Sequence, residues 1–469
     1  MKTSQTLIHN GAHQTVSLEI STANGPQSIR IGFTDQRLTR FGGMAFWSAF
    51  LHKKRFRHKL QPLLPQAPTS PNAYEPTDVA LGFLGGILCG ADKFSRVAYL
   101  ADDPAVAEVL GIEAVASQST FSRFFAEFTQ ASNEGFARLH GWAAGRLPSR
   151  REGYTLDLDS WALLHEDGQQ EGVAVGYTRK GLKPCHRPLI AALAEPKLIA
   201  GFWLRRGDAA CANNAVPFVE NVLAHLPAHI RIGLVRGDAG FCHKKLLQAL
   251  EQRGMHYIVV ARLERKLQSL CRHDDTAWTA TEVPGLTIQE VETDQLRQRL
   301  IILRHRVAER PQAGGKELLA VPGYRFQALL TNLPRSADAV AVWRRYNGRA
   351  DSENRIKEVG AQFGVRGLCC QSFWATEAAC QLAVVAYNLC VLLQRELGLL
   401  EKVELATLRW RLFNRAAVWS RAQGRATLKL AVAQPWRDWW VQLAEKLNSA
   451  LPPLNCNAVE WSPVCTWKS

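Results

Sequence analysis

An α/β protein built on a mixed sheet is the fold class this sequence predicts, and three observations predict it. Between residues 151 and 263, extended and helical runs follow in the order three strands, helix, strand, helix, strand. From about Glu264 to Leu333 the pattern is β-like and polar, with no long apolar helix to interrupt it. On either side, 1–150 and 334–397 read as mainly helical. Five regions follow: a helical 1–150, the first α/β part at 151–263, a β-rich insertion at 264–333, a helical return at 334–397, and a basic, Trp-rich, mixed but mainly helical 398–469.

The elements follow from local pattern. Tyr154 to Leu163 alternates and is rich in strand formers. Pro188–Leu193 and Leu198–Leu204 are two further strands, and Ile230–Arg236 is a fourth that ends on the turn Gly237-Asp238-Ala239-Gly240. Val216, Val219, Val222 and Leu223 share a helical face within Asn213–Leu226. A helix at Lys244–Arg253 and a strand at His256–Ala261 complete the layer. Within the insertion, Leu286–Glu292, Leu300–Arg306 and Tyr324–Thr331 read as strands, because a structureless stretch of that length is unusual inside a domain.

Composition narrows the function. Of 469 residues, 57 are Lys or Arg and 42 are Asp or Glu, a net charge of +15. A soluble chain this basic usually meets a polyanion, most often nucleic acid. Val79–Ala91 is shorter than the ~20 residues a membrane-spanning helix needs. The longer run Phe373–Leu393 carries Glu377, Gln381 and Asn388, which suits a buried helix. With no apolar signal core at the N-terminus, a cytoplasmic protein that does not engage a membrane is expected. Eleven cysteines without a Cys-x-x-Cys pair read as reduced core residues rather than zinc ligands. The basic run His52–Lys59 is either a solvated face or a phosphate-tracking patch. Ser117 caps a short helix with Phe121, Phe124 and Phe125 at helical spacing, which either enters a groove or packs.

Carboxylates carry the chemistry. Residues two apart on a strand share a face, so Asp157 and Asp159 point the same way. Asp238 lies just past a neighbouring strand, where carboxylates at strand ends can converge. Tyr346, Arg349, Glu353, Lys357 and Gly360 fall on one helical stripe, which is either an exposed face laced by ion pairs or a face that holds metal and phosphate together. Asp159 and Asp238 with Glu353 would form an oxygen-only site for two divalent ions, suited to in-line phosphodiester chemistry. Arg349 and Lys357 would then hold phosphate oxygens.

These residues resemble the DDE transposases of bacterial insertion sequences. Three matches carry the likeness: Leu156-Asp157-Leu158-Asp159-Ser160, Val235-Arg236-Gly237-Asp238-Ala239-Gly240-Phe241-Cys242, and Tyr346-x-x-Arg349-x-x-x-Glu353. The last is similar to the Tyr–Arg–Glu–Lys signature of the cut-and-paste group with a β-strand insertion before the glutamate. Gly168-Gln169-Gln170, Gly176-Tyr177 and Ala386-Tyr387-Asn388-Leu389 are similar to the insertion-sequence family numbered thirteen-eighty. Two positions depart from the pattern. Gly360 stands where the signature lysine is expected, with Lys357 one turn earlier, and Trp161 stands where a small hydroxyl residue is common.

The resemblance implies an RNase H-like core made of 151–263 and 334–397, with the β-rich insertion between them. It implies Asp159, Asp238 and Glu353 as catalytic and metal-binding residues, with Asp157 as the alternative first aspartate. Tyr346, Arg349 and Lys357 would contact DNA and phosphate. Magnesium, with manganese as a substitute and two ions in all, is the implied cofactor. The implied reaction is cleavage at terminal inverted repeats followed by strand transfer into target DNA. The partners would be the repeat ends, the target DNA and a second copy in a homodimer, with end recognition by 1–150 and the basic C-terminal region. A nuclease on the same fold that cuts without joining, and an inactive DNA-binding descendant, are the rival readings. A two-carboxylate glycosidase fits the charge poorly.

Overall fold

Strands from the middle of the chain meet in one nine-stranded mixed sheet. The structure is a computed structural model that describes residues 16–70, 72–165, 169–178, 180–262, 278–292, 298–306, 324–399 and 402–449, with residues 268 and 271. Expectations that fall on 1–15, on Gly168, on most of 264–277 and on 450–469 lie outside the described residues.

The N-terminal region is not helical throughout. Val16–Thr22 (β1) and Gly25–Ile31 (β2) pair as an antiparallel hairpin, and the short strand Leu38–Thr39 (β3) follows. Helices dominate from Met44 to Ala144. Ser117 caps the helix Gln118–Ala126, its hydroxyl accepting from the Thr120 N–H at 3.2 Å. Phe121 and Phe125 stack against Phe94 and meet Phe83, and Phe124 packs on Phe125 and Phe128. These aromatics are core, and Gln118, Ser119, Ser122, Arg123 and Ala126 face outward. Three cations of the basic run are paired, while His52, Arg55 and His58 are exposed. Lys53 and Lys54 reach one carboxylate, Glu396, at 2.6 and 2.7 Å, and Arg57 pairs with Asp78.

The sheet begins with Tyr154–Ser160 (β4). A small three-stranded sheet comes next: Leu163–Leu164 (β5), Ala174–Thr178 (β6) and Gly181–His186 (β7). Leu189–Leu193 (β8) and Leu198–Trp203 (β9) return to the main sheet, followed by Ile232–Gly237 (β10) and His256–Val260 (β11). Thr279–Ala280 (β12), Leu286–Glu292 (β13), Arg299–Arg306 (β14) and Tyr324–Thr331 (β15) come from the insertion. The order is β12-β13-β14-β15-β11-β10-β4-β8-β9. β10 runs parallel to both β4 and β11, and β8 runs antiparallel to β4. The insertion strands therefore continue the central sheet, through antiparallel pairing of β15 with β11. Alternate residues of β14 serve two faces. Ile301 and Leu303 lie in one core with Val342, while Leu300 and Ile302 lie in another with Trp278 and Phe326.

β9 is an edge strand, and unpaired edge groups are costly when covered. The helix Phe373–Glu396 covers it, and its polar residues do the pairing. Asn388 accepts from the Ile199 N–H at 2.8 Å and donates to the Ile199 carbonyl at 2.7 Å. Gln381 donates to the Phe202 carbonyl at 2.6 Å, and Glu377 accepts from the Leu204 N–H at 3.0 Å. Steps of four and seven place these three side chains on one face. By length and composition this helix is long and apolar enough to cross a membrane, yet it is buried inside the protein. Every described cysteine is a free thiol.

Past the long helix, Ala417–Ala422 (β16) and Arg425–Leu430 (β17) form a hairpin, and β16 pairs with β3. The N- and C-terminal regions thus share a sheet. Among the C-terminal cations, Arg409 is committed inward, donating to the carbonyls of Ile87, Leu88 and Gln362. Arg421, Arg425 and Lys429 are exposed on the hairpin.

Replacing Asn388 with Leu keeps the volume but leaves the Ile199 N–H and carbonyl buried and unpaired. At about 1–3 kcal/mol for each group, Asn388→Leu is expected to lower the midpoint of chemical denaturation, and an unchanged midpoint would show that the edge needs no such partner.

Candidate active site

The aspartate face of β4 is where the sheet meets the helix Ala350–Ala361. Parallel pairing sets Asp157 opposite Arg236 on β10, and the two form a bidentate pair at 2.6 and 2.9 Å. Arg355, from the helix, reaches the same carboxylate at 3.0 Å and holds Asp351 at 2.9 Å. Asp157 is wholly buried. An ionised carboxylate survives there because two guanidiniums saturate it. Arg236 and Arg355 are residues that the motif reading did not single out. Their signal was present, since a buried strand aspartate requires cations from whatever packs on its face.

Two residues along, Asp159 is nearly buried but differently served. One oxygen accepts from the Ser160 N–H at 2.8 Å, and the other pairs with Arg349 at 2.8 Å. Arg349 also donates to the Leu158 carbonyl at 3.2 Å. Burial pushes the Asp159 carboxyl up to about 6; Arg349 opposes this, and the charges of Asp238 and Glu353 add to it. Two of the three carboxylates that the motifs pick out therefore act on the third.

Asp238 follows β10 on a turn that its own side chain closes, accepting from the Gly240 N–H at 2.8 Å. A side chain at Gly240 would collide with Cys211 and lie 3.0 Å from an Asp238 oxygen. Only glycine leaves room here. Tyr346 is buried in the same neighbourhood. Burial raises its phenol, Arg349 lowers it, and Asp238 and Asp159 raise it further.

The single stripe expected over 346–360 is divided. Ala339–Asn347 and Ala350–Ala361 are separate helices that break at Gly348 and Arg349. A side chain at Gly348 would fall 2.8 Å from the Arg236 guanidinium. The break turns Tyr346 and Arg349 inward onto the aspartates, while Glu353 and Lys357 stay exposed and Gly360 is buried. Arg349 is engaged with a carboxylate, and its Nε finds no acceptor among the described residues.

Asp238 and Glu353 both add to the raised proton affinity of Asp159, and a divalent cation relieves repulsion of that kind among hard oxygen donors. Among the described residues, no group of three or more His, Cys, Asp or Glu side chains is close enough together to ligate one ion. The carboxylates thus share a field without sharing a coordination sphere, and Arg349 occupies the Asp159 oxygen that faces the helix.

Comparison with known proteins follows the same direction. Residues 22–452 match the family described as Transposase DDE domain group 1. No curated protein matches the chain. Among solved structures, the cryo-EM structure of the piggyBac transposase synaptic complex with hairpin DNA is similar at 13% identity and a TM-score of 0.44, over 91% of each chain.

The Asp157 cluster generates a stability expectation. Asp157→Asn leaves the buried Arg236 guanidinium without a counter-charge and Arg355 with Asp351 alone, a loss of about 3–5 kcal/mol. Thermal or chemical denaturation should show it plainly. A variant as stable as the parent would mean that the cluster is not what docks the helix.

Proposed function

The chain belongs to the family of group 1 transposase DDE domains, and from that premise we propose that it is an active DNA transposase of a bacterial insertion sequence. The proposed group is the family numbered thirteen-eighty, and the proposed reaction is cleavage at terminal inverted repeats followed by strand transfer. The observation that carries this reading is the family match over residues 22–452, and the charges of Asp238 and Glu353 acting on Asp159 accord with it. These residues come from two parallel strands and a helix packed across them. The order β9-β8-β4-β10-β11, with β8 antiparallel, supports an RNase H-like core within the larger sheet.

Asp159 is the proposed first aspartate. Asp157 is the weaker choice, because two guanidiniums already hold it in the interior. Asp159, Asp238 and Glu353 would hold the metal, magnesium or manganese as an expected pair, once the three carboxylates draw together and Arg349 releases the Asp159 oxygen that it holds. When bound, the ions supply an activated water or 3′-hydroxyl and neutralise charge on the phosphodiester. Arg349 orients Asp159 and keeps the carboxylate in place in the absence of DNA. Tyr346 packs beneath that pair. Lys357, exposed one turn beyond Glu353, is placed to meet a phosphate from solvent. The exposed cations of β16 and β17 and the outward face of the Ser117 helix are proposed to bind element ends. Two ends require two copies, so a homodimer in the DNA complex is part of the proposal.

The test is incubation of the purified protein with end-labelled DNA carrying the gene's own flanks, in magnesium or manganese, with strands resolved on a denaturing gel. Asp159→Asn, Asp238→Asn and Glu353→Gln should each abolish cleavage while DNA binding persists. If binding fails together with cleavage, the three residues are structural. Pre-cut ends with free 3′-hydroxyls should become joined to target DNA, whereas a nuclease would leave them unjoined.

Metal binding has a readout of its own. At about one hundred times its dissociation constant, manganese should stabilise the folded protein by about 2.7 kcal/mol. The melting temperature should rise in the parent and not in Asp238→Asn. Equal responses from both would place the metal elsewhere.

A further inference from the structure

The β6–β7 ribbon is not used by any part of the chemistry above. Residues 173–187 contain Arg179, Lys180, Lys183 and Arg187 and no acidic residue. Antiparallel register sets Tyr177 opposite Leu182 and Val175 opposite Pro184, so these four share one face. That face is uncovered: Val175, Tyr177 and Leu182 are 60%, 65% and 71% exposed. A basic ribbon with an aromatic, apolar outer face is an unusual thing to leave in water.

Its placement is specific. The ribbon is inserted between the end of β4, where Asp159 lies, and the start of β8, which pairs with that same end of β4. It therefore springs from the carboxylate end of the sheet. Its root is fixed. His186 donates to the Glu171 carbonyl at 2.9 Å and accepts from His165 at 2.9 Å. On the inner face, Gly176 lies against the Gly207 carbonyl, which a side chain there would strike. Arg205 bridges the ribbon to the site, donating to the Arg187 carbonyl at 3.0 Å and to the Ser160 hydroxyl at 3.1 Å. Ser160 is the neighbour of Asp159. A rigid root and a bare tip mark an element that is held ready for something outside the chain.

We propose that the β6–β7 ribbon grips DNA beside the scissile phosphate, with Tyr177 and Leu182 packing on bases that are unpaired there and Lys180 and Lys183 meeting the backbone. The inference rests on the transposase reading and adds to it the state of the substrate. The basic, acid-free sequence selects a polyanion. The apolar face selects a part of that polyanion other than phosphate, and paired bases in a duplex keep their faces stacked and hidden. Only unstacked or terminal bases offer such a surface to an aromatic ring.

The experiment uses the full chain in EDTA, so that binding is read without cleavage. Two fluorescein-labelled 30-base-pair duplexes are compared by anisotropy, one fully paired and one with four mismatched pairs at one end. The parent should prefer the unpaired end about tenfold, within the range of one aromatic–base stack. Tyr177→Ala should reduce that preference to less than twofold with paired-duplex affinity unchanged, and Tyr177→Phe should restore it. Lys180→Ala combined with Lys183→Ala should weaken both complexes and flatten the salt dependence by about one to two units of slope.

If the parent binds both duplexes and every variant matches it, the ribbon assignment falls while the transposase reading stands. If the parent binds neither duplex, both fall. If Tyr177→Ala instead changes the oligomeric state in solution and leaves DNA binding intact, the face belongs to a second copy of the chain and the proposal is overturned.

Discussion

Charge burial on one face of β4 is the constraint that organises this protein. Asp157 and Asp159 point into the same layer, and neither can stay ionised there without cations. Arg236 from the adjacent strand, Arg355 from the glutamate helix and Arg349 from the helix break supply them. The helix that carries Glu353 is consequently docked by ion pairs to the strand that carries Asp159. Greasy contact alone would tolerate a shift of one turn. Matched charges do not, since a shifted helix would strand a guanidinium and a carboxylate together.

The two aspartates divide the labour because their partners differ in number. Asp157 has two guanidiniums and no solvent, so its negative charge is spent on holding the structure together. Asp159 has a single guanidinium and a backbone N–H, and burial foremost, with smaller additions from the charges of Asp238 and Glu353, pushes its carboxyl up to about 6. A short distance along one strand separates a carboxylate held by two guanidiniums from one held by a single guanidinium.

Much of this was legible in the sequence. Strand and helix runs from Tyr154 to Val260 appear where alternation and apolar spacing put them, and the three longer insertion strands do too. Glu377, Gln381 and Asn388 argued for a buried helix, and their role at the β9 edge gives the physical reason: each pairs with a backbone group that an apolar residue would leave unsatisfied. Less legible was anything decided by long-range pairing. Nothing local says that β15 joins β11, or that β3 meets β16. Lys53 and Lys54 looked like a surface patch because their shared partner, Glu396, is remote in the chain. The stripe from Tyr346 to Gly360 has helical spacing, but the helix breaks at Gly348 and Arg349, where the Arg236 guanidinium takes the Arg345 carbonyl and the Arg349 N–H turns to the Tyr346 carbonyl, and half of the stripe turns inward.

The β3–β16 pairing has a bearing on how the protein is made. A ribosome delivers residues 38–39 well before 417–422, so this small sheet cannot close until the central sheet between them has been synthesised. Bringing such distant segments together carries a loop-closure cost and slows assembly. Any product truncated by a premature stop within that interval would leave the N-terminal helices with an open strand edge. Closure of this sheet is thereby coupled to synthesis of everything between its two strands, a timing check written into the topology.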